Sequence, residues 1–343
     1  MTAPAPGHID PVAQSKPRIK AEEKVVTMGS CFAQHISTHL ASSGLNYFVT
    51  EVAPSHLTEQ QSKKMGFGVF SARYGNIYTP RQALQLFERS FQLREFDSHI
   101  WKCRSHLIDA FRPNIQPDGF PSEEDLIEDR TKHIACVKRL FLECDWIIFT
   151  LGLTETWMSK SDDSIFPVAP GVHGGKFNPN DHQFVNFTVE EIIADLSAFV
   201  GNIKSVNPKV KVLLTVSPVS MMATYEKRHV LVSNTYSKSA LRVAADVLCK
   251  KLKNVFYFPS YEIVTSAANL SRYINDDLRT VNPIGVKHVM RVFHKHFIEC
   301  KNNNKGLSAS FPSYNINQSD DIICDEDLIE RSLSNLKRKL QRK

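Results

Sequence analysis

Val25-Val26-Thr27-Met28-Gly29-Ser30-Cys31-Phe32-Ala33 reads as the end of one element and the start of another. A short β-branched run stops at a glycine, a serine and a cysteine follow, and Ala33, Gln34, Ile36 and Leu40 continue with residues that suit a helix. That order is strand, tight turn, helix. Two side chains capable of nucleophilic attack sit at the turn. The first turn of a helix presents unpaired N–H groups at the positive end of its dipole, so it can activate a side chain or hold a developing anion. A second reading has Ser30 only capping the helix, since serine is a preferred N-cap. Cys31 also has two readings: a thiol acidified by the helix, or a buried small side chain behind the serine.

Outward from this turn the alternation recurs. Strand Lys24–Met28 leads to a helix over Cys31–Ser43 and an extended piece over Asn46–Val52. A polar connection runs to Thr79-Pro80, which opens a helix at Arg81–Glu88 or beyond, with proline in its first position. Residues 92–122 carry turn signals at Arg112-Pro113 and Pro117-Asp118-Gly119 and read as an insertion outside the core. Helix Ser122–Leu142 starts on an acidic turn. Trp146–Leu151 and Lys211–Val216 are apolar runs of strand length, the mark of strands covered on both faces. Residues 161–186 between them read as a loop, followed by helix Val189–Ser205. Helix Ser233–Lys251, strand Asn254–Phe258 and a last core helix Pro283–Phe297 complete the pattern. Strands alternating with helices predict an α/β protein, a three-layer α/β/α sandwich on a mostly parallel sheet. Sites in such folds lie beyond the carboxyl ends of the strands. Ser30, Gly152–Trp157 and Ser217-Pro218 all fall there, so their three loops are expected to meet.

Composition narrows the class. The 343 residues are 42% hydrophobic and 23% charged, ordinary for a globular chain, with a formal charge of +6. No stripe of interleaved basic and aromatic residues suggests nucleic acid. Seven scattered cysteines form neither C-x-x-C pairs nor a zinc spacing, which predicts free thiols in a reducing, cytoplasmic setting. No apolar run reaches the length of a membrane span, and no metal or cofactor is implied. Residues 1–23 read as a flexible lead-in, 24–300 as the domain, and 301–343 as a polar, basic tail with an amphipathic piece over Asp325–Leu340.

Gly29-Ser30-Cys31-Phe32-Ala33, together with Phe70-Ser71-Ala72-Arg73-Tyr74-Gly75-Asn76-Ile77-Tyr78-Thr79, resembles the GSCFA-domain family. Later blocks agree in order: Asp109-Ala110-Phe111-Arg112-Pro113, Thr150-Leu151-Gly152-Leu153-Thr154-Glu155-Thr156-Trp157, Thr215-Val216-Ser217-Pro218-Val219, Tyr236-Ser237-Lys238-Ser239 and Tyr257-Phe258-Pro259-Ser260-Tyr261-Glu262. That family is similar to SGNH/GDSL hydrolases, whose α/β/α (flavodoxin-like) fold places a nucleophilic serine after the first strand. The resemblance implies that Ser30 is the nucleophile and Gly75 and Gly152 the glycines of the later blocks. Thr154 stands where those enzymes have an oxyanion asparagine, with Glu155 next to it. The late Asp-x-x-His reads Asp277-Leu278-Arg279-Thr280, with threonine in place of histidine.

A serine attacks an acyl carbon only with a base beside it and donors for the oxyanion. The expected donors are the N–H after Ser30, the Gly75 and Asn76 backbone, and the Thr154 hydroxyl. Candidate bases are His288, oriented by Asp277, then His229, His173 and Glu155. Each has a plainer reading as a packed, surface or anchoring residue. Arg73 and Arg112 read either as anion or sugar holders or as structural arginines. The expected activity is that of an acyl hydrolase or acyltransferase on an ester, with an acylated saccharide as the candidate. A non-catalytic module that kept the pocket is the alternative.

Overall fold

The computed structural model describes residues 9–13 and 17–299. From the N-terminus, β1 (Val25–Gly29) leads through α1 (Ala33–Ser42), the short exposed α2 (Glu59–Lys64) and α3 (Pro80–Phe91) to a hairpin of β2 (Ile100–Cys103) and β3 (His106–Asp109). Helix α4 (Glu123–Glu143) then feeds β4 (Trp146–Leu151). A small antiparallel sheet follows, built from β5 (Glu155–Ser159), β6 (Ile165–Phe166) and β7 (His182–Asn186). The second half alternates regularly: α5 (Val189–Val206), β8 (Lys211–Val216), α6 (Val230–Lys251), β9 (Val255–Tyr257), α7 (Ser260–Thr265) and α8 (Pro283–Phe297).

Strands β1, β4, β8 and β9 form a parallel sheet in the order β1-β4-β8-β9. Side chains alternate across it, as strand geometry requires. Val26, Met28, Ile147, Phe149, Leu151, Val212, Leu214 and Val216 point into one core with α3, α4, α5 and α6. Val25, Trp146, Ile148 and Leu213 point into the other, with α1, α7 and α8. Two cores on one sheet make three layers, the predicted α/β/α sandwich.

The free edge of β1 would expose an unpaired ladder. The segment expected to be extended over Asn46–Val52 contributes only one bridge there, Val25 to Tyr47. Further along, the 71–74 loop supplies the partners: Thr27 N–H donates to Ser71 Oγ at 3.2 Å and the Tyr74 hydroxyl donates to Thr27 O. Local capping fixes the helix starts. Thr79 caps α3 behind Pro80, Ser122 caps α4, Thr188 and Glu191 form a capping box on α5, and Asn282 caps α8 behind Pro283.

Three expectations need correction. Residues 92–122 are not outside the core: Trp101, Ala110, Phe111, Ile115 and Phe120 are buried in two satellite clusters. The loop over 161–186 holds β6 and β7, which pair with β5. The lead-in is packed at both of its described pieces: Ile9 O bonds His288 Nε2 at 2.8 Å and Asp10 pairs with Lys295 and His296. Ile19 is fully buried and bridges Ile298, Ile19 N–H donates to Phe297 O at 2.7 Å, and Glu23 pairs with Lys211 at 2.6 Å. The piece expected over Asp325–Leu340, like the rest of the tail, lies outside the described residues.

Candidate functional site

The turn after β1 is dictated by contact with β4. Gly29 has φ +132°, and a Cβ there would stand 2.2 Å from Thr150 O, so no other residue fits. Ser30 follows, its N–H bonded to Thr150 O at 3.0 Å. Helix α1 begins at Ala33 with Phe32 as N-cap and no side-chain cap. Ser30 therefore does not cap the helix. Its Oγ is sealed from solvent and has no hydrogen-bond partner among the described residues.

Of the three loops expected to meet, those after Ser30 and at Gly152 adjoin here, and a loop outside that expectation lies against both. This second loop, ending at Tyr78, donates from Ile77 N–H to Gly29 O at 2.8 Å. The third passes Gly152, where a Cβ would lie 3.1 Å from Ser30 Cβ and 3.0 Å from Tyr78 Cδ1. Gly152 and Leu153 N–H both donate to Tyr78 O at 3.0 Å, and Ser217 N–H donates to Leu151 O. Gly75 turns the second loop at φ +67°, a conformation that glycine adopts without strain. Gln82 of α3 anchors that loop: its Nε2 donates to Asn76 O and its Oε1 accepts from Tyr78 N–H, each at 2.9 Å. Asn76 itself is buried.

Thr154 is differently employed than expected. Asn186 Nδ2 donates to Glu226 at 2.9 Å, which turns Asn186 Oδ1 toward Thr154, and the Thr154 hydroxyl donates to it at 2.7 Å. A hydroxyl has one proton, so this one is not left for an oxyanion.

Beside Tyr78 and Leu153 a cavity of about 90 Å³ opens, walled by Trp157, Met221 and Tyr225, with Glu155 among the residues that line it. Trp157 and Tyr225 meet edge to face with centroids 4.7 Å apart. Glu155 accepts from the Thr224 hydroxyl at 2.6 Å and from Tyr225 N–H at 3.3 Å. Burial raises its pKa above the ordinary glutamate value, which makes the carboxylate a better base.

The expected Asp277–His288 pair is not formed. Asp277 Oδ1 accepts from Arg279 and Thr280 N–H and its Oδ2 from the Thr280 hydroxyl, all at 2.6–2.9 Å. Burial would raise its pKa, but these bonds hold it low. The threonine in the histidine's place thus ties the aspartate into its own turn. His288 is buried and bonded at both nitrogens, Nδ1 to the Tyr273 hydroxyl at 2.6 Å and Nε2 to Ile9 O at 2.8 Å. His229 caps α6 by accepting from Leu231 N–H. His173 lies in the 171–175 loop, where burial pushes its pKa down to about 4. None bonds Ser30.

Arg73 and Arg112 are structural. Both reach Asp129, at 2.7 and 2.8 Å; Arg112 also holds Asp109, and Arg73 donates to the Met65 and Ile115 carbonyls. Cys31 is buried. Asp97, His99 and Asp162 are the one trio among the described residues with donor atoms close enough for a metal ion, and Asp162 is already bonded to His99 and Ser164.

Sequence reasoning missed the partners of the third loop. Ser237 Oγ accepts from Thr154 N–H at 3.0 Å, and Lys238 Nζ donates to Gly152 O at 2.8 Å. The Tyr236-Ser237-Lys238-Ser239 block was visible, but nothing in it says that a helical lysine turns inward.

The GSCFA family model matches residues 24–293, and the chain belongs to that family. No curated protein matches the sequence. Among solved structures, a carbohydrate esterase family 3 protein from Talaromyces cellulolyticus is similar at 12% identity and a TM-score of 0.37, over 81% of this chain and 95% of that one. An acetyl esterase mutant with acetate ion gives 13%, 0.34 and the same coverage. A structure from Streptococcus pneumonia named for platelet activating factor gives 13% and 0.28, over 50% of this chain and 66% of that one.

Proposed function

We propose that this member of the GSCFA family is a serine acyl hydrolase or acyltransferase acting on an ester, with Ser30 as nucleophile. An acylated saccharide is the candidate substrate, on the family's similarity to SGNH/GDSL enzymes. The observation that carries the reading is the Ser30 hydroxyl itself, buried at the carboxyl end of β1, capping nothing and bonded to nothing among the described residues. A buried polar group left unpaired is costly and calls for a reason, and catalysis is one.

In the proposed step the Ser30 Oγ attacks the acyl carbon and its proton passes to Glu155. The ester C–O bond then breaks and the alcohol leaves with a proton. Water, or an acceptor hydroxyl, releases the acyl group in the second half. Of the bases the sequence offered, Glu155 alone lines the cavity beside the serine loops. The N–H after Ser30 and the Gly75-Asn76 backbone are the proposed oxyanion donors, without the Thr154 hydroxyl. Substrate reaches Ser30 when the Tyr78 side chain, which stands between the cavity and the serine turn, shifts aside. A small ester in a cytoplasmic setting, with neither nucleic acid nor a lipid surface as partner, fits this reading.

One observation favours the alternative of a binding module: the hydroxyl is sealed and no base is bonded to it. Hydrolysis of p-nitrophenyl acetate separates the two. The proposal expects Ser30→Ala and Glu155→Gln each to lose about 100-fold or more, the range of general acid–base catalysis, while His288→Gln keeps the wild-type rate once folded. Equal rates for wild type and Ser30→Ala would leave only the binding module.

A further inference from the structure

Lys238 is 1% exposed, the most deeply buried lysine or arginine among the described residues. Taking an ammonium out of water is costly, and an apolar residue of similar size often serves stability as well or better. A lysine held here therefore calls for a reason other than packing. It stands on α6 directly after Ser237, and the two side chains grip the two ends of one short loop: Nζ donates to Gly152 O at 2.8 Å, and Ser237 Oγ accepts from Thr154 N–H at 3.0 Å. From the other side Tyr78 O holds Gly152 and Leu153 N–H. That loop is the wall against which Ser30 is packed, so close that a Cβ at Gly152 would press on Ser30 and Tyr78 at 3.0–3.1 Å.

We propose that Lys238 is a positioning residue of the Ser30 site. Its ammonium fixes the Gly152 carbonyl, and so the wall of the serine. Charge-assisted bonds are about twice as strong as neutral ones, and a displacement of about 1 Å at a reacting centre can cost about 100-fold. The inference deepens the acyl-transfer reading of Ser30 and rests on it.

The test uses the full chain with Lys238→Met, Lys238→Arg and Ser237→Ala. Two readouts are taken on folded protein: p-nitrophenyl acetate kinetics, and hydrogen exchange at the Leu153 and Thr154 amides. Lys238→Met is expected to lower kcat by about tenfold or more with KM within about twofold, and to speed exchange at both amides. Lys238→Arg keeps the charge and should recover part of kcat, which a loss of packing alone would not predict. A folded Lys238→Met with wild-type kcat and wild-type exchange overturns the inference. Should Lys238→Met fail to fold, wild-type kcat and exchange in Ser237→Ala overturn the clamp just as directly. Wild-type protein that hydrolyses nothing sinks the acyl-transfer reading instead, and the exchange data then decide alone whether Lys238 fixes the loop.

Discussion

At the scale of single residues, Ser30 carries a conflict between stability and chemistry. Its unpartnered buried hydroxyl is a burden on the fold of about 1–3 kcal/mol. Ser30→Ala removes the polar atom and leaves no void larger than a hydroxyl, so urea unfolding should show this variant at least as stable as wild type. A loss above about 1 kcal/mol would mean that the hydroxyl has a structural partner. Sequence pattern located this residue because the strand-to-turn signal and Gly29 are local. The role of His288 could not be read in the same way. Its neighbours Val286, Val289 and Met290 hint at packing, but the partners of its ring nitrogens, Tyr273 and Ile9, are 15 and 279 positions away. Thr154 failed as an oxyanion donor for the same reason, since Asn186 and Glu226 reach it from other elements.

At the scale of elements, α1 joins the serine turn to the second core. It carries His35 and His39, both buried, and burial pushes each pKa down to about 4, with His294 adding to the effect at His39. Unfolded histidine titrates near 6.5. Between about pH 6.5 and 4 the unfolded chain therefore binds more protons than the folded one, and stability falls as pH is lowered through that window. Urea midpoints should drop between pH 7 and pH 5, before most carboxylates titrate, and the drop should shrink in His35→Gln. A midpoint unchanged over that range would contradict the neutral burial of these rings. The regular helices and the strands β1, β4 and β8 were legible because each carries its own periodicity and caps. Strands β6 and β7 were not: β6 has only two residues, and both lie in a segment rich in glycine, proline and asparagine.

At the scale of the whole molecule, the three layers follow from strands that are apolar on both faces, a pattern visible in Trp146–Leu151 before any coordinates. What the pattern could not show is where the domain begins. Ile19 belongs to it, fully buried and bridged to Ile298 after the last helix. Ile19→Ala should cost about 2–4 kcal/mol, as for other buried aliphatic side chains, whereas a free lead-in predicts no change in the urea midpoint.

The central claim, that Ser30 at the meeting of three loops is a nucleophile, is tested most directly by reaction with an alkyl fluorophosphonate followed by peptide mass spectrometry. The serine Oγ displaces fluoride from phosphorus, leaving one phosphonyl group on the protein. The account predicts one adduct per chain, located on Ser30 and lost in Ser30→Ala. Wild-type protein that stays unmodified across the pH range where it is folded, or modification at another residue that persists in Ser30→Ala, would contradict it.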